Sequence, residues 1–261
     1  LAVSPDGGQV YVVSLNDRNL VTFNVNSTSG MIEYADHFGF YDNEIFNYPR
    51  QVDASPDGQF VYVSCDPVIL VFSRNADTGE LTYEMTLAEG DGGVEGLHGA
   101  ENVVASPDGR HVYISGGNAL GVFRVDPLGG SLAFSQVLRD GVDGIDGLDY
   151  VFDLVITDDG RFVYTIADED DAVAIFARDT DTGRLTPVSV LAQGVDGIET
   201  LEDPTALTLT SDGRHLVVIT SGDLTIFARD AETGLLSPTQ ALSYDSETWP
   251  WVGGRDVAVS P

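Results

Sequence analysis

A four-residue word that returns at a near-constant interval constrains this chain more than any other feature. Ser4-Pro5-Asp6-Gly7 recurs as Ser55-Pro56-Asp57-Gly58 and Ser106-Pro107-Asp108-Gly109, then as Thr157-Asp158-Asp159-Gly160 and Thr210-Ser211-Asp212-Gly213, and Ser260-Pro261 opens it again. The spacings are 51, 51, 51, 53 and 50 residues. A fixed period of this size marks one supersecondary unit repeated along the chain, each copy burying the face its neighbour leaves open. Within a unit the order is constant. An apolar strand (Val103-Val104-Ala105) precedes the turn, and a second (Phe60-Val61-Tyr62-Val63) follows it. A third strand (Ala172-Val173-Ala174-Ile175-Phe176) leads to a Gly-containing hairpin such as Asp181-Thr182-Gly183, and a fourth starts at Leu81, Leu185 or Leu236. Asp and Gly at such turns supply local hydrogen bonds and positive φ. No amphipathic helical stretch interrupts the pattern.

Four antiparallel strands in about 51 residues, repeated, is a blade repeated. The expected fold is therefore all-β, a β-propeller of four-stranded antiparallel blades in a single domain. The blades are expected over 1–51, 52–102, 103–153, 154–206 and 207–256, with 257–261 starting a further inner strand. Leu1-Ala2-Val3-Ser4-Pro5 and Val257-Ala258-Val259-Ser260-Pro261 spell the same word. Both read as a first, inner strand, so the expectation is five visible blades from a six- to eight-bladed ring.

Charge narrows the partners. The chain has 42 acidic residues against 12 basic ones, all arginine, for a net charge of −30. Binding to nucleic acid through phosphate neutralisation is excluded, and anionic membrane surfaces are disfavoured. No apolar run is long enough to span a bilayer as a helix, so no membrane insertion is expected. One cysteine, Cys65, excludes an internal disulfide framework. The acidic, lysine-free surface resembles that of salt-adapted proteins, in which high salt screens self-repulsion; the sharper reading is calcium on several acidic loops.

The words Ser106-Pro107-Asp108-Gly109-Arg110-His111-Val112-Tyr113 and Val173-Ala174-Ile175-Phe176-Ala177-Arg178-Asp179, with the loop Gly141-Val142-Asp143-Gly144-Ile145-Asp146-Gly147-Leu148, resemble the lactonase-type (6-phosphogluconolactonase-like) β-propeller repeat family. The resemblance covers essentially the whole chain. It implies blades of this type, and it implies activity on sugar lactones in a pocket lined by His, Arg and Glu at the channel mouth. Of the four histidines here, His111 and His215 follow turns, and only His37 and His98 read as loop residues.

The loops that enter each inner strand are expected to converge around the propeller axis and form the pocket. Eleven residues before each turn stand Glu44, Glu95, Asp146, Glu199 and Trp249. Five before stand Arg50, Glu101, Phe152, Thr205 and Arg255; four before stand Gln51, Asn102, Asp153, Ala206 and Asp256. A ring of carboxylates can hold a hard cation through oxygen ligands, with Glu95, Asp146, Asp143 and Asp153 as candidates. It can instead crowd one carboxyl into a general acid or base, with arginine holding a carbonyl oxygen; the catalytic candidates are Glu95, Asp146, Arg50, Arg255 and His98. Plainer still, these acids cap turns and face water. Aromatic residues in the first and last loops, Phe38, Phe40, Tyr41, Phe46 and Tyr48 against Tyr244, Trp249 and Trp251, could stack on sugar rings. Glu44, Glu199, Trp249, Trp251 and Tyr48 are the ligand-binding candidates. Arg74, Arg178 and Arg229, at the end of the third strand, are expected to pair with turn aspartates as a modest surface effect.

The function expected on these grounds is a non-catalytic propeller, extracellular or on the cell surface. It would bind a small molecule, glycan or protein at the loop face, with calcium as its one candidate cofactor. The alternative is a lactonase-like hydrolase or isomerase acting on a sugar lactone or small acid at the loop-face channel mouth.

Overall fold

The computed structural model describes residues 1–39, 48–243 and 254–260. They form five four-stranded antiparallel sheets, each laid down in chain order. The first sheet holds β1 (Ala2–Val3), β2 (Gln9–Ser14), β3 (Asn19–Val25) and β4 (Ile32–Gly39). The second holds β5 (Pro49–Ala54), β6 (Phe60–Cys65), β7 (Val68–Arg74) and β8 (Leu81–Ala88). The third holds β9 (Ala100–Ala105), β10 (His111–Gly116), β11 (Ala119–Val125) and β12 (Leu132–Arg139). The fourth holds β13 (Val151–Ile156), β14 (Phe162–Ala167), β15 (Ala172–Arg178) and β16 (Leu185–Ala192), and the fifth β17 (Pro204–Leu209), β18 (His215–Thr220), β19 (Asp223–Arg229) and β20 (Leu236–Ser243). These are the expected blades. The chain divides into two compact units, Leu1–Gly116 with Gly121–Val137, and Gly117–Leu120 with Leu138–Pro261.

Two boundaries differ from the sequence expectation. The inner strands begin at Pro49, Ala100, Val151 and Pro204, each three residues ahead of the predicted limits. Pairing there continues through an extra, unpaired residue that periodicity does not reveal. Residues 254–260, expected to open an inner strand from Val257, lie in no strand, because every described second strand already has its partner.

The repeated turn explains its own sequence. Ser4 Oγ donates to Asp6 Oδ1 (2.6 Å) and accepts from Gln9 N–H (2.8 Å), and Gly8 N–H donates to the same Asp6 oxygen (2.9 Å). The same hydroxyl-to-carboxylate bond forms at Ser55–Asp57, Ser106–Asp108, Thr157–Asp159 and Thr210–Asp212. The glycine of each copy has φ between 65° and 69°, a region that costs other residues backbone strain.

The central strands supply the core. Every residue of β6, β10 and β14 is buried. Tyr11, Tyr62, Tyr113 and Tyr164 recur on second strands and Phe72, Phe123, Phe176 and Phe227 on third strands, all inaccessible or nearly so. The outer strand β4 is exposed along most of its length.

At the turn end, neighbouring sheets are clamped by the third-strand arginines. In the first unit Arg74 Nη2 donates to Asp6 Oδ2 and Arg74 Nε to Gln9 Oε1, both at 2.7 Å. Gln9 Nε2 in turn donates to Gly79 O at 2.9 Å, and Tyr11 OH to Gln9 Oε1 at 3.0 Å. In the second unit Arg229 Nε donates to Tyr164 OH (2.9 Å), which donates to Gly234 O (2.8 Å), while Arg229 Nη2 lies 4.0 Å from Asp159 Oδ2. The side chains of Arg74 and Arg229 are only 6% and 5% exposed. These arginines are thus buried links to the preceding sheet, not the modest surface pairs expected. Their tethered partners are the aspartates of the Ser-Pro-Asp-Gly-type turns, 68 and 70 residues earlier in sequence. Between the second and third sheets Val125 takes the arginine's place and packs in one apolar cluster with Tyr62. There Gln59 Nε2 donates to the orphaned turn aspartate Asp57 (2.8 Å), and the buried Tyr62 hydroxyl has no partner.

Candidate active site

Four of the five described inner strands, all but the two-residue β1, carry a β-bulge near their start, and the bulged residue is the one five before the turn. Pairing skips from Pro49 to Gln51, from Ala100 to Asn102, from Val151 to Asp153 and from Pro204 to Ala206. The residues left out of the ladders are therefore Arg50, Glu101, Phe152 and Thr205. A bulge re-aims its extra side chain, a device common beside active sites.

In the first unit two bulged residues of adjacent inner strands meet. Arg50 Nη2 lies 3.5 Å from Glu101 Oε1, with side-chain exposures of 38% and 12%. Burial pushes the Glu101 carboxyl above its ordinary value, Arg50 opposes that shift, and the Asp66 charge adds to it. Ser64, fully buried, anchors the backbone around the pair: Gln51 N–H donates to its Oγ (3.1 Å), which reaches Glu101 O at 3.4 Å. Asp66 Oδ1 accepts from Gly99 N–H at 2.9 Å, tying the β6–β7 turn to the loop that leads into β9. The arrangement is a partly open guanidinium beside a largely buried carboxylate. Chemically it can polarise a carbonyl and accept a proton from water. Sequence reasoning aligned this column yet kept Glu101 off the candidates; its identity as Arg, Glu and Arg in three of five repeats was the signal. In the second unit the bulged Thr205 donates to Gly254 O at 2.7 Å, Phe152 packs against the core, and Arg255 is exposed.

The column eleven before the turn does something else. Its loops fold back over the third and fourth strands of the sheet that follows, held by a buried leucine whose N–H is capped by a side chain. Glu89 accepts from Leu97 N–H (2.7 Å), Asp140 from Leu148 (3.1 Å) and Gln193 from Leu201 (2.7 Å). At Gly96 an added Cβ would stand 3.1 Å from Gly121 and Val137, and at Gly147 2.9 Å from Val190. Thr225 Oγ1 likewise donates to Thr200 O at 3.0 Å. Glu95, Asp146 and Glu199, each next to one of these contacts, are exposed over outer strands. Buried apolar residues, Leu97 with Val94, Leu148, and Leu201 with Ile198, pin each of these three loops to its own blade. Asp146 borders a cleft of about 180 Å³ walled by Ala174, Phe176, Pro187 and Val190.

Acids do gather on the second unit. Single carboxylate oxygens of Asp140, Asp146 and Asp170 lie within 4.8 Å of one another. Asp170 Oδ2 accepts from Asp149 N–H (2.7 Å), and burial together with the charges of Asp140, Asp146 and Asp149 pushes its carboxyl up. Burial and Asp203, Glu169 and Asp171 do the same to Asp168. Of the expected cation ligands, only Asp146 is in this group. Asp153 braces two inner strands, accepting from Leu154 N–H (2.8 Å) and Leu207 N–H (3.1 Å). Asp143 and Glu95 are exposed elsewhere on their loops. No cofactor is established.

The remaining candidates separate. His98 is exposed on the loop before β9, and His37 lies on β4 rather than in a loop, its Nδ1 2.7 Å from Tyr34 OH. Tyr48 is exposed with Arg18 stacked 5.2 Å above its ring. Phe38 belongs to β4 and packs on Phe72 (4.9 Å). Cys65 is fully buried, and burial raises its thiol out of the reactive range. Glu44, Trp249 and Trp251, with Phe40, Tyr41, Phe46 and Tyr244, lie outside the described residues. Among the described residues no helix is long and apolar enough to cross a membrane.

Comparison with known proteins fixes the fold's lineage. The family described as "Lactonase, 7-bladed beta-propeller" matches over residues 1–95, 69–194 and 138–249. A curated relative, the 6-phosphogluconolactonase of Bacillus subtilis, is 27% identical over 192 residues, covering 70% of this chain and 50% of its own length. The chain thus spans about half the length of that relative. A solved structure from Lactobacillus plantarum superposes with a TM-score of 0.74 at 19% identity, over 91% of this chain and 69% of its own. The periplasmic gluconolactonase of Pseudomonas aeruginosa does so with 0.56 at 20% identity, over 94% and 85%. At such identities these two show the fold alone. The family match and the curated relative overturn the expectation of a non-catalytic binding propeller: the similarity runs to lactonases, which are enzymes.

Proposed function

Because the chain belongs to the lactonase family of seven-bladed β-propellers, we propose that it opens sugar lactones by hydrolysis, with Arg50 and Glu101 at the reacting carbonyl. The observation that carries this reading is the meeting of two bulged inner-strand residues, a cation and a buried carboxylate, 3.5 Å apart. Water attacks the lactone carbonyl carbon. Glu101 takes the water's proton, and its raised basicity suits that task near neutral pH. The carbonyl oxygen becomes an oxyanion to which the Arg50 guanidinium donates. Collapse of the tetrahedral intermediate breaks the ring C–O bond, and the proton held by Glu101 passes to the departing alkoxide. The product is the open hydroxy acid, and Glu101 is regenerated.

The test is hydrolysis of δ-gluconolactone, followed as acid release, by the protein and by Glu101→Gln and Arg50→Lys. A general base contributes roughly 10²–10⁴-fold, so Glu101→Gln should fall by at least two orders of magnitude. Arg50→Lys keeps the charge but loses the planar fork and should fall by roughly ten- to a hundredfold. Unchanged rates in both variants would place the chemistry elsewhere.

Calcium is a second and separate reading, and its place is Asp140, Asp146 and Asp170. What favours it is the approach of three carboxylate oxygens within 4.8 Å, where burial and then the charges of Asp140, Asp146 and Asp149 raise Asp170; a divalent cation would offset that repulsion. A rise in melting temperature with calcium over chelator at fixed ionic strength, lost in Asp170→Asn, supports it; equal melting with and without calcium removes it.

A further inference from the structure

We infer that the lactone opened at Arg50 and Glu101 is an uncharged, hydroxyl-bearing ring, and that this face turns away phosphorylated or otherwise anionic lactones. The inference rests on the lactonase reading and adds the substrate's charge class to it. It departs from the name of the curated relative, a 6-phosphogluconolactonase.

A phosphorylated sugar needs cations that are free to receive its phosphate, as a bidentate arginine or a lysine does. The chain has no lysine. At the loop end of the first unit the basic residues are Arg18 and Arg50. Arg18 lies stacked over the Tyr48 ring, and Arg50 faces Glu101. On the same end, in the β2–β3 and β6–β7 turns and the loop from β8 into β9, stand Asp17, Asp66, Glu89, Asp91 and Glu95, which with Glu101 make six acids for two bases among the described residues. Asp66 already makes itself felt on Glu101, adding to the rise of that carboxyl.

Several other arginines are committed at the opposite end of the sheets. Arg74 is buried against Asp6 and Gln9, while Arg161 contacts Glu232 O at 3.1 Å and Arg229 lies against Tyr164 and Gly213 O. A phosphate dianion approaching the Arg50 site therefore meets an excess of acids over bases. A neutral ring meets carboxylates that accept its hydroxyl protons. Arg50, its side chain 38% exposed beside Glu101, is placed for a carbonyl oxygen.

The experiment compares kcat/KM for δ-gluconolactone and for its 6-phosphate with the same protein at 0.1 M and 1 M salt. The neutral lactone should be favoured at least tenfold at 0.1 M. That ratio should shrink several-fold at 1 M, where the screening length falls from about 10 Å to about 3 Å. The double variant Asp91→Asn/Glu95→Gln, on the exposed loop before β9, should raise kcat/KM for the phosphorylated lactone several-fold relative to that for the neutral one. A phosphorylated lactone turned over as well as the neutral one at 0.1 M, or a ratio indifferent to salt, overturns the inference while the lactonase reading stands. Folded protein that hydrolyses neither lactone overturns both.

Discussion

The two ends of the sheets handle the same residue type in opposite ways. At the turn end aspartates are matched. Asp6 is held down to about pKa 2, first by the Ser4 hydroxyl and the Gly8 N–H and then by Arg74. At the loop end they crowd one another, and burial and like charge raise Asp168 and Asp170. Charge at the first end specifies how sheet meets sheet. Charge at the second is a cost to the fold, and in native proteins such costs gather where a site works.

The sharpest way to break this contrast is to remove a clamp. Arg74→Ala strips a buried guanidinium from Asp6 and Gln9 and should lower stability by about 2–4 kcal/mol in urea unfolding. A loss below about 0.5 kcal/mol would make the turn-end arginines the minor surface pairs their spacing alone suggests.

The next effect is smaller and is a matched pair. Tyr164 OH both donates to Gly234 and accepts from Arg229, so Tyr164→Phe should cost about 1–2 kcal/mol. Tyr62, equivalent but facing Val125, has a buried hydroxyl without a partner. Tyr62→Phe should therefore be neutral or stabilising by up to about 1 kcal/mol. Equal costs at the two positions would show that the clamp does not use its tyrosine.

The loop end should answer in the opposite direction. Asp168→Asn relieves repulsion from Asp203, Glu169 and Asp171 and should raise stability at pH 7 by about 0.5–1 kcal/mol in low salt, the gain fading toward 1 M.

The smallest effects are in pH dependence. The depressed Asp6 carboxyl contributes stability above the unfolded value of 3.8, lost as pH falls toward 2, and Asp6→Asn should flatten that limb by less than about 1 kcal/mol given its exposure. Raised carboxyls act the other way. Asp53 is lifted to about 6 by burial, which outweighs the opposing N–H groups of Ala105 and Ala54, so the native state keeps its proton longer than the unfolded chain. Stability should thus fall as pH rises from about 4 to 6 and level off above, a slope that unfolding at fixed salt would show missing in Asp53→Asn.

Most of the architecture was legible in the sequence because it is local. The Ser-Pro-Asp-Gly word, its hydroxyl–carboxylate bond and the strand after it lie within six residues of one another, and repetition exposes them. The site was half legible. Counting back from the turn found the column holding Arg50 and Glu101, but spacing does not say which column converges. That depends on a bulge, which is a property of pairing between strands rather than of one strand. The described acids eleven before the turn are exposed because their loop paths follow buried apolar anchors. Leu97, Leu148 and Leu201, each nine residues before the turn, were the available sign that the loops turn back onto the blades. The buried clamp was hidden for another reason: its partners stand some 70 residues apart, and only the neighbouring sheet brings them together.

The central claim is that Glu101, raised by burial beside Arg50, is the base that opens a lactone. Its most direct test is the pH profile of kcat/KM for δ-gluconolactone, with the uncatalysed rate subtracted, for the protein and for Glu101→Gln with melting temperature as the control for folding. The account predicts that activity rises with pH through a midpoint above the ordinary glutamate value of 4.5, and that this limb vanishes in the variant at an unchanged melting temperature. An undiminished limb in Glu101→Gln would contradict it.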